Sequence, residues 1–522
     1  MSLNLREQKI DLLKPKGNQM LQMTFDEDVN VPDIKPDMDR ILQTNAQVSI
    51  VKEELLQDRI ILQGDLKVNI LYIPLNDKKP IHSLEAVFPF EETVNADGLS
   101  TRDHINISSN IEDLTVNMLN SRKVNIKSIS QLKMDIHEKN EVYLTSDVDG
   151  VKDVEKRIKP IVVCQLKESR NDSYKIKDEV AIPSGKPNIM EVLWHETTIQ
   201  NRDFRLIDGK LNLKGTIHLA TLYSSEASEN NVEFVEHDLT FNGLLDCQSC
   251  KEHMIHDVQM KIIDDKIQIR PDLDGEERVL SVEVDTRVDV KIYDEEHTNI
   301  LGDIYSLEKE LVIKREPVSY QKLLCKNQSQ TNLKETVLID DISKEILQIY
   351  YASGSCSIDN MTNEDEKVNV EGVMFCKVMY VAADDHMPIN IFEVPVPFEH
   401  QIDIKGLSAT STVNITPSVS YIGCTMVGGK EIEIKCTIQM NTIVFEQNSV
   451  DIITGIDEKP IDMKAFQNIP GIVGYIVKDK DSLWDIAKRY RTTIPSIVKA
   501  NSLEDELIRK GDKLIIVKEL LF

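Results

Sequence analysis

The sequence predicts a mainly β protein, built of three repeated β-sandwich or barrel-like modules followed by a small βααβ domain. Apolar and polar residues alternate with a period of two, as in Leu66–Ile70, Val124–Ile126 and Ile432–Ile434. Such alternation places one face of a strand on a core and the other face in water. The same anchor residues also recur in three parts of the chain, which indicates repeated modules. A helical pattern begins after Pro470 and predicts the last domain.

The repeat is anchored by a glycine, a tyrosine eight positions later and a phenylalanine eighteen positions after the tyrosine. These anchors are Gly64, Tyr72 and Phe90 in the first copy, Gly215, Tyr223 and Phe241 in the second, and Gly372, Tyr380 and Phe398 in the third. Agreement at fixed offsets in three places indicates duplication. We expect the aromatic anchors in cores or at corners, and each glycine at a bulge or a close strand crossing.

The anchors divide the chain into modules at residues 1–165, 166–320 and 321–465, with the last domain at 471–522. The stretch Pro36–Gln43 looks helical and is expected to open the first copy, since proline suits a first helical turn. Copies that share anchors but little else suit a scaffold with several similar surfaces.

The chain carries a formal net charge of −27, which excludes two classes of partner. Nucleic-acid binding needs a positive surface, and an anionic membrane would repel so acidic a protein. No signal peptide and no apolar run of about 20 residues is visible, so we expect a cytosolic protein without membrane insertion. The eight cysteines are scattered, which favours free thiols over a disulfide framework.

One cysteine–histidine cluster raises the question of a metal site. Cys247, Cys250, His253 and His256 could in principle hold zinc. However, two residues separate the cysteine pair from the histidine pair, whereas zinc sites usually have a dozen or more. The favoured interpretation is an inter-strand loop without a metal.

Patterns typical of enzymes do not occur in this sequence. There is no phosphate-binding loop, no dinucleotide fingerprint and no nucleophile elbow. The acidic pairs Asp264-Asp265 and Asp384-Asp385 are expected in solvated loops. We therefore predict no catalytic residue, no cofactor and no enzymatic activity.

After Pro470 the pattern predicts strand, helix, helix and strand, at about residues 474–478, 482–490, 494–500 and 513–517. The core should hold the inward-facing residues of both strands and the apolar stripe of the first helix. These residues are Tyr475, Val477, Leu483, Ile486, Ala487, Tyr490, Leu514 and Ile516.

Polar residues at the predicted helix ends are suited to capping. Ser482 can cap the first helix, and Asp485 three residues later can complete a capping box. Thr493 and Asn501 are suited to the N-terminal and C-terminal caps of the second helix.

These residues resemble the LysM domain. The family pattern is met at Tyr475, Val477, Asp481, Ser482, Leu483, Trp484, Ile486, Ala487, Asn501, Leu503, Ile508, Gly511, Leu514 and Ile516. The resemblance implies binding of N-acetylglucosamine polymers such as peptidoglycan, in a groove between the loop before the first helix and the loop before the last strand. This sequence departs from the pattern with Lys480 for a glycine, Asp512 for a glutamine and Val517 for a proline.

The outer face of the last domain's sheet has an unusual composition. If the core residues face the helices, then Ile472, Ile476 and Ile515 face away, where polar residues are more common. Exposed apolar clusters mark protein contacts more often than sugar contacts. Trp484 lies at the edge of the helical stripe, so its ring is expected to be partly covered and to anchor an interface. The alternative is that Trp484 caps the small core. We predict Ile472, Ile476, Trp484 and Ile515 as partner contacts.

Repeats with these anchors, joined to a C-terminal LysM domain, resemble the SipL family of clostridial spore-coat assembly proteins. The resemblance implies a non-enzymatic adaptor, made in the mother cell, that localises to the forespore surface and spore coat and recruits or tethers coat proteins. It also implies that the LysM domain binds the coat basement-layer ATPase of the SpoIVA type, and it leaves the repeats available for other coat proteins. Two alternatives stay open: a peptidoglycan-binding anchor that acts through the LysM domain, and a cell-wall hydrolase with its catalytic domain in the repeat region.

Overall fold

The structure, a computed structural model, describes residues 4–75, 81–150, 153–225, 232–338, 345–383, 389–461 and 470–517. Within these residues the chain forms three successive modules, each of six strands. The first module contains β1 (Asn4–Asn30), β2 (Met38–Leu56), β3 (Arg59–Pro74), β4 (His82–Asn95), β5 (His104–Asn120) and β6 (Lys123–Asp149). The second contains β7 (Val154–Ala181), β8 (Ile189–Ile207), β9 (Lys210–Ser225), β10 (Val232–Asp246), β11 (Ile255–Pro271) and β12 (Glu277–Ser306). The third contains β13 (Lys309–Leu338), β14 (Ile346–Glu364), β15 (Lys367–Ala382), β16 (Ile389–Asp403), β17 (Ser411–Met426) and β18 (Glu431–Pro460).

Each module is a sandwich of two three-stranded antiparallel sheets. In the first module the strand orders are β2-β3-β4 and β1-β6-β5, and the other two modules repeat both orders. The inward-facing residues of the two sheets form one hydrophobic core in each module, as the period-two alternation requires. The prediction of a mainly β protein with three repeated sandwich modules is confirmed.

The anchor glycine and the anchor phenylalanine of each module face each other across two paired strands. The opposed pairs are Gly64–Phe90, Gly215–Phe241 and Gly372–Phe398. A Cβ atom added to Gly372 would lie 2.6 Å from Cζ of Phe398, so the ring occupies the space that a side chain would need. On its other side each glycine faces a register shift in β2, β8 or β14. Each anchor glycine therefore lies opposite a β-bulge on one side and in close contact with a phenylalanine ring on the other.

The anchor tyrosines are buried in the cores of their modules. The hydroxyl groups of Tyr72 and Tyr223 donate to the carbonyl oxygens of Pro36 and Pro187, each at 3.1 Å. The first bond attaches the turn before β2 to β3, the central strand of its sheet. The second attaches the turn before β8 to β9 in the same way. The third copy lacks the corresponding prolines, and Tyr380 is buried there as well.

Two expectations from the sequence differ from the observed strands. The helix predicted at Pro36–Gln43 is wrong, because β2 begins at Met38 and its pairing with β3 overrides the local helical propensity. The module limits at 165/166 and 320/321 fall inside β7 and β13. The first strand of each of these modules starts earlier than the anchors indicate, and its early part pairs with the end of the module's last strand.

The first and last strands of each module extend beyond its sandwich and pack together. Their shared core takes side chains from β1, β6, β7, β12, β13 and β18: Ile10, Leu12, Val142, Leu144, Ile161, Val163, Ile300, Val318, Tyr320, Val450 and Ile452. A second shared core surrounds Trp194 and Tyr351, whose rings meet edge-on with centroids 5.6 Å apart. The three modules therefore pack as one unit.

Polar contacts also join the first two modules. Arg287 donates two hydrogen bonds, of 2.7 and 3.0 Å, to the carboxylate of Glu53. Asp264 forms an ion pair with Lys67 of the first module. The expectation that Asp264-Asp265 lies in a solvated loop is wrong, because both residues belong to β11 and β11 packs near the first module. The pair Asp384-Asp385 lies outside the described residues.

Three histidines at the contacts between modules favour the neutral form. Burial, with a smaller effect of Lys291, lowers the pKa of His104 and of His137 to about 4. Burial, with a smaller effect of Lys326, lowers the pKa of His256 to about 4. An unfolded chain protonates its histidines near pH 6.5, so these groups stabilise the folded state above about pH 6.5. That stability is lost as the pH falls from about 6.5 towards about 4.

We expect the thermal unfolding midpoint to fall between about pH 6.5 and about pH 4, and replacement of His137 by asparagine to reduce the fall. The matched control is His253→Asn, since the His253 side chain is 65% exposed. Differential scanning calorimetry across this pH range checks the prediction. The same pH dependence in both variants would contradict it.

Candidate partner-binding surface

The C-terminal domain contains a two-stranded antiparallel sheet and two short helices. Its elements are β19 (Ile472–Ile476), α1 (Leu483–Tyr490), α2 (Ile494–Asn501) and β20 (Lys513–Val517). The predicted βααβ order is confirmed. Among the described residues, no helix has the length and hydropathy needed to cross a membrane.

Side chains at the helix ends hold the local fold. Ser482 Oγ accepts a hydrogen bond from the backbone N–H of Asp485 at 3.2 Å and donates one to its carboxylate at 2.6 Å. Thr493 Oγ1 accepts from a backbone N–H in the first turn of α2 at 3.2 Å. The predicted cap role of Asn501 is wrong, because Ser502, with a φ of 52°, is the C-terminal cap of α2. The Asn501 side-chain oxygen accepts from the backbone N–H of Ile515 at 2.6 Å, and its NH2 group donates to the Ile515 carbonyl at 2.7 Å. Asn501 therefore ties α2 to β20.

The residues predicted for the core lie together between the helices and one face of the sheet. They are Tyr475, Val477, Leu483, Ile486, Ala487, Leu514 and Ile516, all buried, with Tyr490 partly buried at the edge. Tyr305 and Leu307, from the end of the second module, belong to the same cluster. The core of this domain therefore continues into the second module.

The other face of the sheet is open to solvent and apolar. Ile472, Ile476 and Ile515 expose 69%, 61% and 51% of their surface, and Val517 exposes 41%. Gly474 pairs with Ile515 in the middle of this face and adds no side chain, so the face is flat. We call Ile472, Ile476, Ile515 and Val517 the apolar patch. Val517 was missing from the predicted contacts, although it follows the same alternation.

Trp484 is buried, and the prediction of a partly exposed ring is wrong. Its exposed fraction is 6%, and its indole N–H donates to Oδ2 of Asp303 at 2.8 Å. The ring packs edge-on against Tyr305, with centroids 4.9 Å apart, and the Tyr305 hydroxyl donates to the carbonyl of Thr492 at 2.8 Å. Trp484 therefore anchors the domain to the end of β12 and is covered by this chain itself.

The Asp303 carboxylate accepts hydrogen bonds from three side chains, those of Trp484, Lys488 and Arg315. Lys488 Nζ lies 2.8 Å from both carboxylate oxygens, and Arg315 Nη2 lies 2.7 Å from Oδ1. Burial raises the pKa of Asp303, but the hydrogen bonds from Lys488 and Trp484 outweigh it and hold the pKa below its usual value. One face of α1 is therefore fixed on the second module, while the apolar patch stays exposed.

The loop before α1 and the loop before β20 are joined by backbone hydrogen bonds. The Val477 N–H donates to the carbonyl of Asp512, and the Gly511 N–H donates to the carbonyl of Val477, each at 2.9 Å. Lys480 has a φ of 66°, in the left-handed region that favours glycine. The two loops thus present charged side chains, Lys480 and Asp512, where the LysM pattern has a glycine and a glutamine.

The cysteine–histidine cluster does not form a four-ligand site. The sulfur atoms of Cys247 and Cys250 are bonded to each other, so the expectation of free thiols is wrong for this pair. In the described part of the chain, the Glu168 carboxylate lies within 4.8 Å of both sulfurs and is a potential ligand, and neither histidine joins this group. His253 is largely exposed, and His256 lines a cavity between modules. The other six cysteines are free thiols.

Comparison with protein-family models identifies two domain types in the chain. The SipL SPOCS domain matches residues 37–119, 188–270 and 345–427, and the LysM domain matches residues 475–517. Each SPOCS match covers the second to fifth strands of a module, so the first and last strands lie outside it. No curated protein and no solved structure matches the chain.

Proposed function

Because this chain has the SipL-type architecture of three SPOCS domains and a C-terminal LysM domain, we propose that it is a non-enzymatic adaptor of spore coat assembly. Both domain types are binding domains, which supports a sporulation-related adaptor. In this proposal the protein acts in the mother-cell cytoplasm at the forespore surface. Its partner is the coat basement-layer ATPase of the SpoIVA type, and the apolar patch is the surface that binds it.

The observation that carries this proposal is the exposure of four aliphatic side chains on one flat sheet face. Burying such a surface against another apolar surface gains about 25 cal/mol for each Å² removed from water. Peptidoglycan sugars carry hydroxyl and amide groups, which lose free energy when they are buried against aliphatic side chains without hydrogen-bond partners. The patch therefore suits a protein partner better than a glycan.

The contact with the second module supports an adaptor role. Trp484 and Lys488 are held by Asp303, so this face of α1 is covered, whereas the side chains of the apolar patch are exposed. A partner on the patch would be held in a defined orientation relative to the three modules. The modules would then be free to contact other coat proteins.

A peptidoglycan-binding anchor is the second candidate, and the LysM match at residues 475–517 favours it. The loops at the positions of the LysM sugar groove are joined by backbone hydrogen bonds in this chain. These loops lie at the end of the sheet rather than on its outer face. Variants of the patch therefore separate the two functions.

The test measures binding of the full-length protein to the purified basement-layer ATPase by biolayer interferometry. Ile472→Asp and Ile515→Asp place a charge in the patch and are expected to weaken binding at least about tenfold, as for a residue central to an interface. Leu507→Asp is the matched control, because Leu507 is 81% exposed in the same domain and lies outside the patch. This control should bind as the wild-type protein does.

Two results would contradict the proposal: no binding by the wild-type protein, or wild-type affinity in both patch variants. Thermal unfolding of each variant verifies that the fold is retained. Co-sedimentation of the full-length protein with insoluble peptidoglycan tests the second candidate. Sedimentation that the patch variants leave unchanged, together with absent ATPase binding, would favour the glycan anchor.

A further inference from the structure

The three modules meet around a cavity of about 1310 Å³ that is lined by residues from each of them. Four basic side chains in its wall are called here the cavity cations. Arg202, Lys261 and Lys291 belong to the second module, and Lys326 belongs to the third. In a chain with a net charge of −27, this local concentration of positive charge needs a physical reason.

The carboxylates of the cavity wall leave the cavity cations largely unneutralised. Asp135 lies 3.5 Å from Lys133, and Asp203 lies 2.9 Å from Arg205, so each is paired with a cation on its own strand. The remaining carboxylate in the wall is Asp257, and burial raises its pKa. None of the four cavity cations forms an ion pair within 4 Å in the described part of the chain. The wall therefore holds five lysine and arginine side chains, Lys133 and the four cavity cations, against three carboxylates.

Arg202 reaches the cavity because of the β-bulge opposite Gly215. The pairing of β8 with β9 shifts register at this point, and Asn201 has a φ of 50°, in the left-handed region. Such bulges redirect a side chain and are common beside functional sites. The corresponding positions of the other modules, thirteen residues before the anchor glycine, hold Val51 and Asp359. The guanidinium group is thus particular to the second module.

Lys261 Nζ donates to the carbonyl oxygen of Ile107 at 3.3 Å, whereas two other donors in the wall lack an acceptor within the described residues. Lys291 is 7% exposed and makes no hydrogen bond there, and the hydroxyl of Thr442, a residue 1% exposed, has no hydrogen-bond partner. Arg202, Lys261 and Lys326 are exposed side chains of the cavity wall, whereas Lys291 is nearly buried. An anion that accepts hydrogen bonds would pair with these cations and with the Thr442 hydroxyl, through charge-assisted bonds in the case of the cations.

We propose that this cavity binds a multivalent phosphate-bearing anion, held by Arg202 and Lys261 with Lys291 and Lys326 around it. Arginine binds two phosphate oxygens through parallel N–H···O bonds, and lysine binds as a point charge. The cavity is larger than inorganic phosphate and has room for a polyphosphate or a nucleotide with water. Because the cations come from two modules, the bound anion also links those modules.

The test is isothermal titration calorimetry of the full-length protein at low ionic strength, with pyrophosphate and ATP as separate probes. Arg202→Gln and Lys261→Gln are each expected to weaken binding at least about tenfold, because each removes a charge-assisted contact. The control is Lys210→Gln, an exposed residue at the start of β9 that does not line the cavity. Binding of pyrophosphate identifies phosphate itself as the ligand, and binding of ATP alone identifies a nucleotide.

Absence of binding by either probe at millimolar concentration would overturn the proposal, as would wild-type affinity in both glutamine variants. Arg202→Gln removes an unpaired cation, so its thermal unfolding midpoint should equal or exceed that of the wild-type protein. If that variant is destabilised instead, the affinity of Lys261→Gln decides. Pyrophosphate should also raise the midpoint of the wild-type protein more than that of Arg202→Gln at the same concentration.

Discussion

Replacement of Gly372 by alanine is expected to destabilise the third module by about 3 kcal/mol or more, because it overpacks a core that has no free volume at this position. The added Cβ would lie 2.6 Å from Cζ of Phe398 and closer still to the carbonyl oxygen of Ser357, which is backbone and cannot rotate away. The module should therefore open more often and expose Cys376 and Cys436, both buried in the native core.

Pulsed thiol labelling measures this opening, because the third module has five cysteines and the first has none. Burial raises the pKa of Cys436 to about 12, so this thiol reacts slowly in the folded protein. Gly372→Ala should accelerate labelling, whereas Gly17→Ala should not, since no atom lies within 4 Å of a Cβ at Gly17. Equal labelling rates in these two variants would contradict the prediction.

Substitution by alanine should cost less stability at Gly215 than at Gly372. At Gly215 the nearest backbone atom to an added Cβ is the carbonyl oxygen of Gln200, at 3.2 Å, and the closest contact is the end of the Phe241 ring. A ring can shift more easily than a backbone carbonyl, so Gly215→Ala should be milder than Gly372→Ala. Calorimetric unfolding of both variants compares them directly.

Replacement of Asp303 by alanine is expected to release the LysM domain from the second module. The carboxylate accepts hydrogen bonds from Trp484, Lys488 and Arg315, and its removal leaves these donors without that partner. The loss should weaken the contact by about 2 kcal/mol or more. Trp484 would then become accessible to water, and its fluorescence emission should shift to longer wavelength.

The chain has two tryptophans, so the measurement uses a Trp194→Phe background in which Trp484 is the remaining reporter. Asp457→Ala is the control, because Asp457 pairs with Lys314 on an exposed strand end. Unchanged emission in Asp303→Ala would contradict the prediction. Acid should act in the same direction as the substitution: the pKa of Asp303 is lowered, so its contribution is present at neutral pH and is lost below about pH 3.9, the ordinary aspartate value.

Much of the fold could be predicted because it depends on patterns within short segments of the sequence. Alternation in single strands marked the buried and exposed faces, and fixed offsets marked Gly372 and Phe398 as equivalent to the anchors of the other copies. The same alternation pointed to Ile472 and Ile515 as exposed. Val517 could have been found by the same signal, since it is one alternation beyond Ile515.

Other features had no signal of this kind. Trp484 is partly exposed if its own helix is considered alone, and its burial depends on Asp303, 181 positions earlier in the chain. Pro36–Gln43 has local helical character, which pairing with β3 overrides. Arg202 reaches the cavity through a bulge, and the cavity itself exists because three modules pack around it.

The sequence by itself determined the threefold repeat, the mainly β class of the modules, the βααβ order of the last domain and the outward direction of its isoleucines. These properties follow from periodicity and spacing within short segments, which local sterics and burial impose on any chain. The tertiary structure alone decided which surfaces stay open and which charges stay unpaired. Exposure and charge pairing depend on which residues from distant parts of the chain lie next to each other. Asp303 is hydrogen-bonded to Trp484, and the packed modules place Arg202 in the wall of the cavity.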